Sequence, residues 1–354
     1  MSVYLHGLST ALPPHCLTQS EVKERAAVIF SQKYPQFDRL SKTFETAGID
    51  RRYSVVPIDW FSAEHGWSDR NTAFISGAKS MFIAAAQRAL EDAGWSGAEV
   101  DCVVTVTSTG IATPSLEAQV FGEMGFREDI MRVPVFGLGC AGGVSGLSTA
   151  QILAAGRPGS KVLLVVVEAC SLSFRADRLQ NADIIATVLF GDGSAAACIC
   201  TDLPAAGNVV TLGRGHQKIW PDTLDIMGWD VDEAGFGVVF DRSIPAFVSA
   251  EFAVATKGAL EAADLDHVQI DRYVCHPGGA KVVDAIEDAL HLEHGSLDAE
   301  RDTLRTTGNM SAPTVMFVIK AVLQAGHTGQ MMSCALGPGF TASFLPFQVS
   351  AQAA

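Results

Sequence analysis

The chain has no Cys-x-x-Cys pair, no apolar run long enough to cross a bilayer, and few positive charges. Its eight cysteines (16, 102, 140, 170, 198, 200, 275, 334) lie mostly in apolar, strand-like runs. That fits buried, reduced thiols better than a disulfide framework or a zinc site. The nearest approach to a membrane span, Lys161 to Ala169, is far shorter than the roughly 20 residues a span needs. No basic segment followed by an apolar core precedes Val3, so no signal peptide is expected and the reading is a soluble, cytoplasmic protein. Lys and Arg number 25 against 39 Asp and Glu, a net charge of −14, which argues against nucleic acid and anionic membranes as partners. Only 18% of residues are charged while 48% are hydrophobic, so much of the chain must be buried. With 354 residues it exceeds one ordinary core. Two halves are expected, residues 1–203 and 204–354, meeting near Leu203-Pro204.

What is present alternates between strand and helix patterns in both halves, so the class is α/β. Val3 to Leu8 reads as a strand. A helix follows from Thr18, whose N-cap role is marked by Glu21 three residues on. Asn71 to Ala93 carries an apolar stripe (Phe74, Ala78, Met81, Phe82, Ala85, Ala89) and stops at Gly94. Val100 to Ser108 and Lys161 to Glu168 are near-continuous apolar strands of the doubly covered kind. Thr113 to Met124 reads as a helix, and Val133 to Phe136 as a short buried strand. In the second half, Gly207 to Gly237 has no regular pattern. Helices are expected over Pro245–Ala263, Val282–Leu290 and Ser311–Ala325, and strands over Arg272–His276, Gln330–Leu336 and Phe340–Phe347. Asp192, in Gly191-Asp-Gly193, reads as a turn former.

The stretch around Cys140 carries the strongest chemical signal. Gly137 and Gly139 supply a sharp turn, and a run of small residues from Ala141 reads as a helix, so Cys140 sits at a strand-to-helix junction. A helix N-terminus favours a thiolate, and flanking glycines leave backbone N–H groups free to meet an oxyanion. The alternative is a buried structural cysteine. Two stretches offer partners. His276 ends an apolar strand before Pro277-Gly278-Gly279, the carboxyl end at which α/β proteins bind ligands. Asn309 lies between Gly308 and Met310, just before a helix, where capping is its alternative role. A neighbouring imidazolium would lower the cysteine's pKa. His276 and Asn309 can donate hydrogen bonds to a carbonyl that becomes an enolate on decarboxylation. Such a condensation needs no further base, because loss of CO₂ generates the carbanion. Arg39, Lys42, Arg51 and Arg52 form a basic cluster, either a solvated face or a landing site for phosphates.

These pieces together resemble the chalcone synthase (type III polyketide synthase) family, in its bacterial branch. They are Gly-Cys140-Ala-Gly-Gly, Leu189-Phe190-Gly-Asp-Gly, Cys275-His276-Pro-Gly-Gly, Gly308-Asn309-Met-Ser and Gly337-Pro338-Gly339, in the family's order, and the likeness runs from about Tyr4 to Phe347. The resemblance implies a thiolase-like αβαβα five-layered fold of two similar halves, a homodimer, and CoA thioesters as substrates, with no metal and no other cofactor. Cys140 would carry the starter acyl group and the growing chain. His276 and Asn309 would promote malonyl-CoA decarboxylation and hold the enolate. Phe190 matches an aromatic gatekeeper, with a core phenylalanine as its alternative. Cys170 and Ser173 match positions that shape the cavity, Thr113 one that crosses the dimer interface, and Gly337, Pro338 and Gly339 a cavity wall. Arg39 and Lys42 match basic residues for the CoA phosphates, whereas a third such position holds Thr46. The small Ser173 and Thr113 lead to the expectation of a medium- or long-chain acyl-CoA starter. The product class is a pyrone, resorcinol or phenol. An initiating ketoacyl synthase that draws malonyl from a carrier protein shares the Cys/His/Asn set and is the enzymatic alternative. A degenerate scaffold subunit is the non-enzymatic one.

Overall fold

The computed structural model describes residues 1–31, 37, 41–175, 177–178, 180–205 and 207–351. Among them, ten strands link into one hydrogen-bonded path, five from each half. The first half contributes β1 (Val3–Ala11), β4 (Cys102–Thr107), β5 (Met131–Phe136), β6 (Val162–Ala169) and β7 (Asp192–Cys200), in the order β1-β7-β6-β4-β5. The second contributes β8 (Val209–Leu212), β9 (His216–Ile219), β12 (Arg272–Cys275), β13 (Gly329–Gly337) and β14 (Thr341–Ser350). Their order is β12-β13-β14-β8, with β9 beside β14 and β8 joining β1 to close the path. Two hairpins stand apart, β2 (His15–Thr18) with β3 (Arg51–Ser54), and β10 (Met227–Asp232) with β11 (Gly235–Phe240).

Helices complete five layers. Outside the first half lies α2 (Trp67–Ala93), whose Phe74, Phe82 and Ala89 bury against Val103, Leu163 and Val165. Outside the second lie α5 (Ile244–Ala262) and α6 (Ala280–Ala289), covering Tyr273, Met332 and Phe344. Between the halves run α3 (Gly142–Gly156) and α8 (Thr314–Gln324), which share one core with strands of both halves. This is the αβαβα arrangement. Burial on both faces explains why β4 and β6 read as unbroken apolar runs, and every residue of β6 is buried. α3 is built from small residues because it crosses α8 closely. A Cβ at Gly143 would lie 2.3 Å from the Ala312 carbonyl oxygen.

Local signals set several boundaries. α1 (Gln19–Phe30) starts from the Thr18/Glu21 capping box, and α2 stops at Gly94 in the left-handed conformation (φ 67°). Other expectations need correction. β5 is a strand but not a buried one: it is the sheet edge, with Met131 and Phe136 each about half exposed. In place of one helix over 113–124 there are two short turns, Leu116–Gln119 and Phe121–Met124. Pro114 disfavours the helical conformation at Thr113 and delays the start. α8 begins at Thr314 rather than Ser311, because Ser311 adopts φ 59°. The unpatterned 207–237 segment holds β8, β9, β10 and the start of β11, and α7 (Asp298–Thr307) is an additional, largely polar helix. α4 (Asn181–Leu189) precedes Phe190.

Gly143→Ala should lower stability by about 2 kcal/mol in urea unfolding, because backbone rather than a movable side chain blocks the new methyl. Gly258→Ala in α5 is the matched control. It meets nothing within 4 Å and should raise stability by up to about 1 kcal/mol.

Candidate active site

Cys140 sits in a single helical turn, Gly139–Ala141, between β5 and α3. Gly137 (φ 91°) and Gly139 (φ 48°) make the turn that a β-carbon would strain. The Gly139 N–H donates to Ser108 Oγ at 3.0 Å. The turn packs against the loop after β13. A Cβ at Gly139 would fall 2.6 Å from Pro338 Cδ, and one at Gly337 would fall 2.7 Å from the Ala141 nitrogen. The side chains of Ser311 and Asn309 lie close enough to the thiol to favour its charged form.

Each of the four polar atoms of Asn309 has a hydrogen-bond partner. Its N–H donates to Leu189 O (2.8 Å) and its carbonyl accepts from Gly191 N (3.0 Å), a clamp that brackets Phe190. Its Oδ1 accepts from Ser311 N (2.8 Å), and its Nδ2 donates to Gly278 O (3.0 Å), leaving one amide hydrogen. His276 follows β12 directly, and its N–H donates to Cys334 O at 2.8 Å. Its ring is buried, and among the described residues neither Nδ1 nor Nε2 has a hydrogen-bond partner. Since buried polar atoms are seldom unpaired, these nitrogens are available to a ligand.

Burial governs the charges. It pushes the Cys140 thiol up to about 11 and outweighs the opposing effect of Ser311 and Asn309, while the nearby Glu168 carboxylate adds to the rise. Burial pulls His276 down to about 3. Burial thus works against the thiolate–imidazolium pair expected from the sequence, since it leaves neither charge solvated. Behind the thiol, Glu168 Oε2 accepts from Ser108 N (2.9 Å) and Thr109 Oγ1 (2.7 Å), and burial raises that carboxyl to about 7.

Three cavities meet here. A small one of ≈40 Å³ lies over the thiol, lined by Cys140, Cys170, Phe190, Trp229, Ser311 and Pro338 among others. The β10–β11 hairpin forms its roof, tied down by Trp229 Nε1 donating to Ser108 O (2.8 Å). A second, strongly apolar cavity of ≈50 Å³ shares Cys170 and Phe190 with it. It reaches between α1 and α4 past Ser173, Ala26, Ile29 and Ala186. A third, of ≈460 Å³, is an open cleft running from Thr43 and Thr46 to Gly278 and Gly279.

The structure thus gathers Cys140, Phe190, Cys170 and Pro338 around one cavity; Asn309 brackets Phe190 through its backbone and bonds Gly278 O, two residues after His276. Ser173 lines the apolar cavity; Gly337 packs under Ala141, and Gly339 turns the chain at φ 116°. Thr113 is exposed and lines none of the three cavities. Lys42 is exposed and does not line the open cleft, and Arg39 lies outside the described residues. Arg52 is no surface cation: it is buried and caps α4, donating to Thr187 O (2.6 Å), Val188 O (2.7 Å) and Phe190 O (3.3 Å). Asp192 is no turn former. It is buried at the start of β7 and accepts from Val55 N (2.8 Å), Ser171 N (2.7 Å) and Ser171 Oγ (2.7 Å). Sequence reasoning missed Ser311, Glu168 and Trp229. The serine after Asn-Met was in view as a helix start, whereas Trp229 lay in a stretch without pattern. A remote trio, Asp284, Glu287 and His294, has metal-ligand spacing, but Arg301 already pairs with both acids at 2.7 and 2.6 Å.

A cysteine at a strand-to-helix turn, with the Asn309 amide and Ser311 hydroxyl acting on it in a five-layered fold, fits a thiolase-like condensing enzyme. Residues 2–203 match the N-terminal domain of chalcone and stilbene synthases, and residues 211–346 match the C-terminal domain. The chain belongs to that family, the type III polyketide synthases, which are acyltransferases. It is similar to a putative chalcone synthase of Bacillus subtilis strain 168, at 33% identity over 97% of this chain and 98% of that protein. It is also similar to a 1,3,6,8-tetrahydroxynaphthalene synthase of Streptomyces peucetius subsp. caesius, at 35% identity over 96% of this chain and 91% of that one. The crystal structure of the corresponding synthase of Streptomyces coelicolor A3(2) superposes with a TM-score of 0.92 at 29% identity, covering 99% of this chain and all of that one.

Because the thiol is raised to about 11, its thiolate fraction should grow about tenfold per pH unit below that value. Iodoacetamide alkylation of Cys140 in the ligand-free enzyme, followed by mass, should climb steadily from pH 7 to 10, and His276→Ala should leave that profile in place. A plateau already reached at pH 8 would instead mean a resident thiolate paired with His276.

Proposed function

We propose that Cys140 accepts an acyl group from a CoA thioester and extends it with malonyl-CoA. The observation that carries this reading is a buried His276 whose ring nitrogens have no partner among the described residues, linked through Gly278 O to an Asn309 that keeps one amide hydrogen to spare and whose side chain acts on the buried Cys140 thiol. In the loading step sulfur attacks the thioester carbonyl as its proton passes to the His276 imidazole, and that proton is returned to the departing sulfur, so that CoA leaves as its thiol. In extension the malonyl thioester oxygen takes hydrogen bonds from His276 and Asn309, CO₂ departs, and the enolate carbon attacks the acyl–Cys140 carbonyl with release of the cysteine sulfur. Preorganised donors at such an oxygen are worth roughly 3 kcal/mol each. Decarboxylation supplies the carbanion, so the substrates and these side chains suffice without a metal or other cofactor. Cyclisation of the released or bound chain gives a pyrone, resorcinol or phenol.

The starter we propose is a medium- or long-chain acyl-CoA. Its support is the apolar cavity that continues past Cys170 and Phe190, with the small Ser173 and Ala186 in its wall. Thr113 gives no support. We further propose a cytoplasmic homodimer. CoA thioesters and eight unpaired cysteines suit a reducing compartment, and no helix among the described residues is long and apolar enough to cross a membrane. The edge strand β5, with Met131 and Phe136 exposed and Ile111 also exposed, is the kind of edge that a second copy covers.

Purified enzyme given labelled malonyl-CoA and acyl-CoA starters of increasing length should yield pyrones or phenols, and Cys140→Ala should yield none. Condensation seen only with malonyl-carrier protein would move the chain to the ketoacyl synthase reading. Ala186→Phe fills the apolar cavity and should depress kcat/KM for long starters about tenfold for every two methylenes excluded, at about 0.8 kcal/mol each. Equal activity of that variant on acetyl and long-chain starters, with the wild-type preference kept, would exclude this cavity as the starter site.

A further inference from the structure

We propose that the Arg25–Asp59 ion pair latches the outer end of the apolar cavity and so sets the longest acyl starter the enzyme accepts. The proposal rests on the starter reading above and concerns the end of that cavity away from the thiol. Cys170 and Phe190 mark its inner end, because both also line the space over Cys140. Along α1 the cavity is lined by Val22, Arg25, Ala26 and Ile29, positions that share one face of a helix. Val22, Ala26 and Ile29 are apolar, and Arg25 puts a charge into that stripe. Facing Arg25 is a short 3₁₀ turn, Ile58–Ser62, whose Ile58 and Phe61 also line the cavity.

Arg25 ties these two elements together. Its Nη2 lies 2.6 Å from Asp59 Oδ1, and its Nη1 donates to Ser62 Oγ. The pair reaches the surface, with 29% of the Arg25 side chain and 84% of the Asp59 side chain exposed. The other arginine in the wall, Arg52, is buried and donates to three carbonyls at the end of α4. Arg25 is therefore the charge that stands between the apolar space and water. A tail that stops short of it leaves the ion pair hydrated. A longer tail has two routes. It can strip water from the guanidinium, which is unfavourable. It can also part α1 from the 3₁₀ turn, at small cost because an exposed ion pair contributes little, but methylenes that emerge into water gain no burial. Both routes stop rewarding further length at the same point in the chain, the position of Arg25.

The test measures kcat/KM for saturated acyl-CoA starters lengthened two carbons at a time, each with malonyl-CoA. In Arg25→Leu the length limit should move up by at least one step of the series. The ratio of kcat/KM just beyond the wild-type limit to that at mid-length should rise about tenfold, the worth of two newly buried methylenes. The exchange Arg25→Asp/Asp59→Arg re-forms the latch with its charges reversed and should return the limit to that of the wild type, which a merely structural role for Arg25 would not do. Lys23→Leu is the control on the same helix, where Lys23 pairs with Glu45 at 2.7 Å, and it should leave the length profile in place. An Arg25→Leu profile that superposes on the wild type, while Ala186→Phe still depresses long starters, removes the latch alone. An equal loss at every length also removes it, since that reports damage rather than a shifted limit. A long-starter preference that survives Ala186→Phe removes the starter reading and the latch with it. A wild type that condenses no starter removes the polyketide reading and everything that rests on it.

Discussion

The site hangs on one short piece of backbone pairing. Asn309 and the Phe190 segment meet as an isolated bridge, with Asn309 N–H on Leu189 O at 2.8 Å and Gly191 N–H on Asn309 O at 3.0 Å. One strand of that bridge belongs to the first half of the chain and the other to the second. It fixes Asn309, and through the Asn309 amide on Gly278 O it fixes the loop after His276. It also fixes Phe190, which stands between the thiol cavity and the apolar one. Glycine on both sides of the bridge is a steric requirement. A Cβ at Gly191 would come 3.1 Å from Arg52 Cβ and one at Gly308 would come 3.2 Å from it, with backbone oxygens closer still. Arg52 fills the space beneath and satisfies three carbonyls at the end of α4, a cation at the helix terminus where its charge is favoured.

Burial then sets what the assembled groups can do. A carboxylate, a thiol and an imidazole share a site that excludes water, and each is shifted toward its neutral form. A neutral imidazole with free nitrogens can donate to a thioester oxygen without first losing a charge pair, and a neutral thiol survives oxidants better than a standing thiolate. Among the described residues, the His276 ring nitrogens and Glu168 Oε1 are buried without a hydrogen-bond partner, and these are the groups left to take a proton.

Cys140, His276 and Asn309 were legible because each is embedded in glycines whose positions only a turn or a close approach explains, and because strands β4 and β6 announce a doubly covered sheet. The αβαβα class followed from alternation and from the motif set. What stayed hidden depends on distance in three dimensions. β5 reads as buried because its residues are apolar, yet exposure is a property of having no neighbour strand within one chain. Asp192 sits among glycines and looks like a turn, but its carboxylate is the acceptor that ties Val55 and Ser171 to β7. Arg52 looks like part of a basic patch with Arg51. The alternation of β3 sends one outward and the other under α4. Ser311 needs a positive φ to face the thiol, and nothing in its residue type signals that. The hairpin of β10 and β11 carries Gly228 and Gly235 and little apolar periodicity, because one of its faces roofs a cavity instead of packing on a core.

The same geometry explains why product identity is so much less legible than reaction class. Chemistry is fixed by a few polar atoms whose partners can be counted. The shape of the space around them depends on apolar wall residues, and here that space is ≈40 Å³ over the thiol and ≈50 Å³ beyond Phe190 and Cys170. Volumes this small change in proportion with a single methyl group, so Ser173 for a threonine, or Ala186 for a valine, alters the cavity by a large fraction while leaving Cys140, His276 and Asn309 untouched. Motifs can therefore hold constant while the space around them changes, and in this chain the wall residues between α1 and α4 set the apolar part of that space.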